Sequence, residues 1–457
     1  MKTDSLFSEF PEISTKQWKQ KIQFELQGEE YNKTLVTKTP EDIHIKPFYT
    51  SEDIPSEAQP QINPTWNICE KIYIAKAVGA NSRALNSIKK GAQSILFYFP
   101  EETVNLSDLF KDFPLETVEI HIETAFLSVD FISKLIALFK DTTAKIHLHL
   151  DPIGHLASSG NWHNSLSKDM ETLGQIQQKL LTHTQFKTYI SVNTALYQNA
   201  GATIIQQLAY ALAHANEYLN AFTPPTITFK MAIGSNYFFE IAKLKALRTL
   251  WNTIASEYQI TSECHIFCMP TERNKTLYDY NVNMLRTTTE YMSAILGGAN
   301  TICTLPYDAF YHKNNEFASR IARNQLLILK HESYFDKVKN PSDGSYYIES
   351  ITDDLAEKAL SIFKQIEAGG GFLVQLKEHI IQKKIKESAN ASQSEFDEKE
   401  LVLVGSNKYQ NKEEKIQETL ELYPFVKTEV RKTLIEPIIP RRLAEKIEQE
   451  RLKMETK

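Results

Sequence analysis

Cysteine is scarce in this sequence: four residues in 457 (Cys69, Cys264, Cys268 and Cys303), too few and too scattered for a disulfide scaffold. A chain of this length needs no staples, so a reducing compartment and buried thiols are expected. Glycine is sparse as well, at 15 residues. Neither a Gly-rich phosphate cradle followed by Lys-Ser/Thr nor a Gly-x-Gly-x-x-Gly turn after a strand is present, and Gly369, Gly370 and Gly371 read as a helix stop. No apolar run approaches the roughly 20 residues that span a bilayer. Met1 to Phe10 mixes Lys, Asp, Glu and Ser, without the apolar core of an export signal. A basic excess is missing too: the formal net charge is −6 and the pI about 6.1, which leaves no field to collect phosphate backbones or acidic lipid. Neither nucleic acid nor a membrane is expected as a partner, and a cytoplasmic location is.

What remains is an ordinary globular composition, 42% hydrophobic and 24% charged, enough for a sizeable core. Short β-rich runs recur with helical patterns between them, the mark of βα units feeding a parallel sheet. Eight runs are read: Ser94 to Phe99, Val118 to Ile122, Ile146 to Leu150, Thr188 to Val192, Ile227 to Ala232, Cys264 to Cys268, Thr301 to Thr304 and Leu401 to Val404. That number closes a (β/α)8 TIM-type barrel. Between the runs, Ile204, Leu208, Ala211, Leu212, Ala215 and Leu219 share one helical stripe, and Phe238, Ile241, Ala242, Lys245 and Arg248 another. Residues 1–75 are expected as an extended, partner-wrapping arm, 76–440 as the barrel and 441–457 as a charged carboxyl-terminal helix or tail. The polar stretch 383–400 is expected as an excursion before the last strand.

In such a barrel chemistry gathers at the carboxyl ends of the strands, and here those ends carry mostly small and apolar residues. His147 and His149 are the exception, alternating with Ile146, Leu148 and Leu150 so that they share one face, with Asp151 and His155 following. A metal-dependent hydrolase could use that pair, yet no carboxylate or further histidine is placed at the later strand ends, and structural histidines are the plainer reading. Cys264-x-x-x-Cys268 is half of a zinc site without its other half, and reads as packing. Asp42-Ile43-His44 has the opening of the Asp-x-His-x-x-Gly signature that presents a histidine to cobalt in one cobalamin-binding domain, but Pro47 stands in the glycine's place.

Seven segments together resemble the methylmalonyl-CoA mutase family, from about residue 12 to about residue 445. They are EEYNKTLVTKTPEDIHIKPFYT, NAGATIIQQLAYALAHANEYL, MAIGSNYFFEIAKLKALRTLW, LRTTTEYMSAILGGAN, FASRIARNQLLILKHES, NPSDGSYYIESITDDLAEKA and VGSNKY, in the family's order. The resemblance implies a barrel that, in active chains, holds acyl-CoA along its axis beneath a carboxyl-terminal cobalamin domain. There adenosylcobalamin drives the interconversion of methylmalonyl-CoA and succinyl-CoA, and the protein positions substrate and shields radicals.

Laid on those motifs, the chain departs where catalysis would occur. The Tyr-His pair before Gln-Glu-Ala-Gly in active chains is Ala195 and Leu196 here, followed by Tyr197, Gln198, Asn199, Ala200 and Gly201. The seventh strand's His-Thr-Asn becomes Cys303, Thr304 and Leu305, and a Ser-Gln-Thr-Ser-Gly loop becomes Cys268, Met269, Pro270, Thr271 and Glu272. Around Trp66 the active chains' Arg-Pro-Trp-Thr-Ile-Arg-Gln becomes Pro64 to Glu70, after a segment that looks shortened. The resemblance therefore implies a small, non-catalytic subunit without the cobalamin domain. Ala195, Leu196, Gln198, Cys303, Thr304 and Leu305 would be vestigial substrate-site positions, with no catalytic, cofactor-binding or metal-binding residue. Adenosylcobalamin is expected on a large catalytic subunit, the partner in a heterodimer. The alternatives are an acyl-CoA-binding barrel served by a separate cobalamin-binding chain, or a metal-dependent hydrolase on His147 and His149.

Overall fold

The computed structural model describes residues 9–10, 13–53, 65–427 and 430–455. The segment read as shortened ahead of Trp66, and most of the amino-terminal stretch read for an export signal, lie outside them. Eight parallel strands close into a barrel: β1 (Asn67–Tyr73), β2 (Ser94–Phe99), β3 (Glu119–Thr124), β4 (Ile146–Leu150), β5 (Phe186–Asn193), β6 (Thr228–Ile233), β7 (His265–Pro270) and β8 (Thr301–Cys303). β8 pairs with both β1 and β7, which closes the ring.

The TIM-type barrel expected from the sequence is present, but its strands are counted one place later. β1 lies inside the 1–75 segment assigned to the arm. Its alternation is masked by Asn67, Glu70 and Lys71, each with a partner in the tertiary structure: Asn67 Nδ2 donates to Glu119 at 2.7 Å, Arg323 pairs with Glu70 at 2.6 Å, and Lys71 lies 3.6 Å from Glu123. Conversely, the run Leu401–Val404 is no barrel strand. Val404 makes only an isolated bridge to Lys408, while the Asn407 side chain accepts from Leu403 N and donates to the carbonyls of Phe396 and Leu401. Its leucines are apolar because they pack beside Phe396 and Leu443. The polar excursion is also corrected. It is a helix, Ile380–Asp397, whose buried members Ile381, Ile385 and Phe396 are too widely spread among polar residues to read as a stripe.

The strands' outward side chains, among them Ile95, Phe97, Ile120, Ile122, Ile146, Leu148, Phe229 and Ile302, merge with the helices into one core. Helices Ile204–Ala221 and Tyr237–Glu257 realise the two stripes seen in the sequence. The first is opened by a capping box between Thr203 and Gln206, which satisfies two of the helix's orphan N–H groups. Cys264 and Cys268 are both buried free thiols, and burial pushes them up to about 11 and about 12. The described residues from Gly405 to Ala444 form no regular strand and cross the rim: Leu434 N donates to Gly160 O, Arg441 N to Asn199 O and Leu443 N to Arg273 O. The charged tail then forms the helix Glu445–Glu455. It docks through carboxylates as well as through Ile447 and Leu452, which pack on neighbouring apolar clusters: Glu448 accepts from Leu277 N at 2.7 Å and from Arg442 at 2.5 Å, and Glu455 accepts from Tyr278 at 2.5 Å. No helix among the described residues is long and apolar enough to cross a membrane.

Candidate functional site

Because the outward faces of the strands are apolar, the alternate residues project into the barrel, and many of these are polar. His121 on β3 stacks on His147 of β4 with ring centroids 4.8 Å apart, and His147 lies 4.2 Å from His265 of β7. His121 Nδ1 and His149 Nε2 are 3.0 Å apart. His147 meets Thr188 Oγ1 at 3.0 Å, Thr188 meets Thr228 at 2.7 Å, and His265 meets Thr301 at 3.1 Å. Phe267 closes against His121 and His149, and with Cys69, Leu96 and Cys303 it fills the remaining interior. Burial holds these imidazoles neutral. His147 is lowered to about 3, and His121, His149 and His265 fall well below the usual imidazole range, first by desolvation and then by neighbouring groups that oppose a positive charge.

One level up, Glu123 sits between Lys230 at 2.9 Å and Lys71 at 3.6 Å. Burial alone would raise its pKa. The two ammonium groups more than reverse that and bring it to about 2. Lys71 also lies over the Tyr98 ring, which stacks on Tyr73. Above this layer is a cavity of about 220 Å³, lined by Tyr98, Glu123, Asp151, His155, Asn193 and Lys230 among others. That falls below the roughly 300–1,000 Å³ of ordinary small-molecule sites.

These groups are committed to one another. Asp151 caps the helix Pro152–Ser159 by accepting from Gly154 N, it also accepts from Asn193 N and from Tyr218 OH at 2.7 Å, and His214 Nε2 lies 2.9 Å from it. His214 in turn meets Tyr197 OH at 2.8 Å. Burial opposes ionisation of Asp151, but His214 and the hydrogen bonds prevail and its pKa is lowered. Among the described residues no three His, Cys, Asp or Glu side chains are placed to hold a metal ion. The hydrolase reading on His147, His149 and Asp151 fails on that geometry. The two imidazoles share one face, as their alternation predicts, but they are bonded to Thr188 and His121, and Asp151 points to His214.

The six positions marked as a vestigial substrate site fall into two neighbourhoods. Ala195, Leu196 and Gln198 lie buried in the short helix Ala195–Asn199 that follows β5. Gln198 accepts from Lys243 Nζ at 3.2 Å and lies 3.5 Å from Glu240. Cys303 ends β8 in register with Cys69. Beyond it, Thr304 N donates to Cys69 O and Leu305 N to Tyr291 OH. None of the six is among the residues lining the mouth cavity. His121, Glu123, Lys230 and Lys71, which do shape the interior, escaped the sequence reading. Polar residues alternating inside β runs (Ile120-His121-Ile122-Glu123 and Phe229-Lys230-Met231) were the signal available.

His44 stands exposed on a two-residue strand of the arm hairpin (Thr37–Lys38 with His44–Ile45), beside the Lys38–Asp42 ion pair.

Residues 101–454 match the family model described as methylmalonyl-CoA mutase. The methylmalonyl-CoA mutase small subunit of Porphyromonas gingivalis is 34% identical over 449 residues, covering 89% of this chain and 71% of that one. The small subunit of Propionibacterium freudenreichii subsp. shermanii is 27% identical, covering 86% and 68%. The methylmalonyl-CoA mutase of Rhizobium meliloti is 28% identical, covering 85% of this chain; of that relative's own length, 63% is spanned. With the greater part of its length inside the family model, the chain belongs to the methylmalonyl-CoA mutase family.

Proposed function

We propose that this chain is the non-catalytic small subunit of a heteromeric, adenosylcobalamin-dependent methylmalonyl-CoA mutase. In this reading a large subunit binds the cofactor and interconverts methylmalonyl-CoA and succinyl-CoA, and this chain is its cytoplasmic heterodimer partner in propionate metabolism. The observation that carries it is the packed barrel axis. An acyl-CoA threaded along the axis would have to displace His121, His147, His149, Phe267, Leu96 and the Lys71–Glu123–Lys230 bridge. Those side chains are bonded or packed together, and opening such a set leaves buried polar groups and a charge without partners. Two relatives that carry the small-subunit name support the same reading. The packed axis weighs equally against an acyl-CoA-binding barrel served by a separate cobalamin chain.

The test is to purify the chain alone, with the large subunit, and with a free cobalamin-binding domain, and to measure succinyl-CoA formation and adenosylcobalamin binding in each. Turnover and cofactor binding are expected only with the large subunit, with the two chains co-eluting. Succinyl-CoA made by this chain alone, or with the free cobalamin-binding domain, overturns the proposal.

A further inference from the structure

Beyond the ends of β5, β6 and β7, the tip of the arm hairpin and the helix Ile380–Asp397 border a cavity of about 370 Å³, inside the roughly 300–1,000 Å³ of small-molecule sites. It shares no lining residue with the mouth cavity. Part of its wall is apolar, from Ile204, Ala391, Leu401 and Leu443.

Two charged side chains on the same wall have opposite signs and lack a counter-charge. Glu41, at the hairpin tip, is only 6% exposed. Hydrogen bonds from Ile204 N and Thr39 favour its ionised form, but burial prevails and raises its pKa, and the charge of Glu240 adds to the rise. Its Oε2 meets no hydrogen-bond donor among the described residues. Glu240 itself is already paired with Lys243. Arg273 gives its guanidinium to neutral groups: Arg441 O at 3.2 Å, Ala389 O at 3.3 Å and Ser392 Oγ at 2.6 Å. Burial lowers it to about 10, and among the described residues no carboxylate raises it again.

Elsewhere the fold closes such charges on each other, as in Lys275–Glu290 and Lys230–Glu123. Here it holds them apart. Arg273 lies against Gly201, where a Cβ would come within 3.2 Å of its Cζ, and Glu41 lies against Ile204 N. Those two backbone points are separated by roughly 10 Å at most, the reach of three extended residues. A buried charge without a partner is costly, and one ligand carrying both signs would offset both costs.

We propose that this cavity binds a small amino carboxylic acid, with its carboxylate on Arg273, its ammonium on Glu41 and its carbon chain along Ile204, Leu401 and Leu443. A guanidinium matches a carboxylate with two parallel donors, and an ammonium beside Glu41 also offsets the repulsion from Glu240. A simple anion would leave Glu41 bare, and a simple cation would leave Arg273 bare. The site needs neither acyl-CoA nor a companion chain, so it stands or falls apart from the functional reading above.

Calorimetry on the full chain at neutral pH tests it with two probes: L-leucine, whose charges flank one carbon, and 6-aminohexanoate, whose charges are separated by a methylene chain. Hexylamine and hexanoate serve as single-charge controls. Saturable binding is expected for at least one amino acid, with both controls weaker by about tenfold or more. Glu41→Gln keeps the shape and removes the charge. It should weaken binding about tenfold or more and leave the melting temperature unchanged or higher, because an unpaired buried carboxylate is gone. Ala391→Leu places a good helix former in the cavity without touching either charge, and should weaken binding at least as much; it decides the matter if Glu41→Gln fails to fold. The inference is overturned if neither amino acid binds, if a control binds as tightly as the amino acid, or if folded Glu41→Gln keeps the parent affinity.

Discussion

Replacing Glu123 by Gln leaves Lys230, 4% exposed, without the carboxylate that lies 2.9 Å from it. Breaking a buried pair from one side costs about 3–5 kcal/mol, because the remaining charge is uncompensated. Urea titration of Glu123→Gln at neutral pH should show a loss of about that size, and an unchanged midpoint would refute the account of the mouth. The histidines make a second prediction. His147 titrates near 3 in the folded chain against about 6.5 unfolded, so above pH 6.5 it has no effect on the pH dependence. As pH falls below 6.5 the unfolded chain takes up a proton that the folded chain refuses, and stability is lost progressively down to about pH 3, at roughly 1.4 kcal/mol per pH unit. Glu123 adds a loss at lower pH: its contribution is complete above about 4.5 and disappears as pH falls through about 2. His147→Gln should therefore unfold more easily at pH 7, yet lose stability more gently between pH 6 and 5. Equal slopes for the two proteins would show that His147 is already charged in the fold.

At the scale of elements, the crossing of the rim segment over the helix Pro152–Ser159 depends on Gly160. It has φ +78°, and a Cβ there would meet Ile435 O at 2.7 Å and Thr433 at 2.8 Å. Both the left-handed backbone and the close approach favour glycine. Gly160→Ala should cost about 1–3 kcal/mol and open the segment around Thr433–Ile435 to proteolysis; wild-type cleavage kinetics would show that the crossing tolerates a methyl group. The elements also show which parts of the sequence could be read. Ile146 to Leu150 was legible as a strand because its apolar members alternate cleanly. β1 was not, because Glu70 and Lys71 look like loop residues until Arg323 and Glu123 are seen to meet them. Leu401–Val404 failed in the opposite sense: burial against a helix demands the same residues as burial in a sheet.

At the scale of the whole molecule, the described part of the tail, residues 441–455, belongs to the folded body. Ending the chain after Pro440 removes Arg442 and Glu448, both buried, and deprives Leu277 N of its acceptor. A loss of at least about 3 kcal/mol is expected. Hydrogen exchange should locate the damage at Leu277–Asp279, and native protection there would mean that the tail only rests on the surface. By itself the sequence determined the barrel class, the two long amphipathic helices and the family, since apolar alternation, helical stripes and motif order are local and survive being read along a line. Only the tertiary structure decided which strand comes first, that four imidazoles meet inside the ring, and that Glu123 lies between two lysines. Those pairings join residues distant in the chain, and closure of the barrel is what brings them within bonding distance.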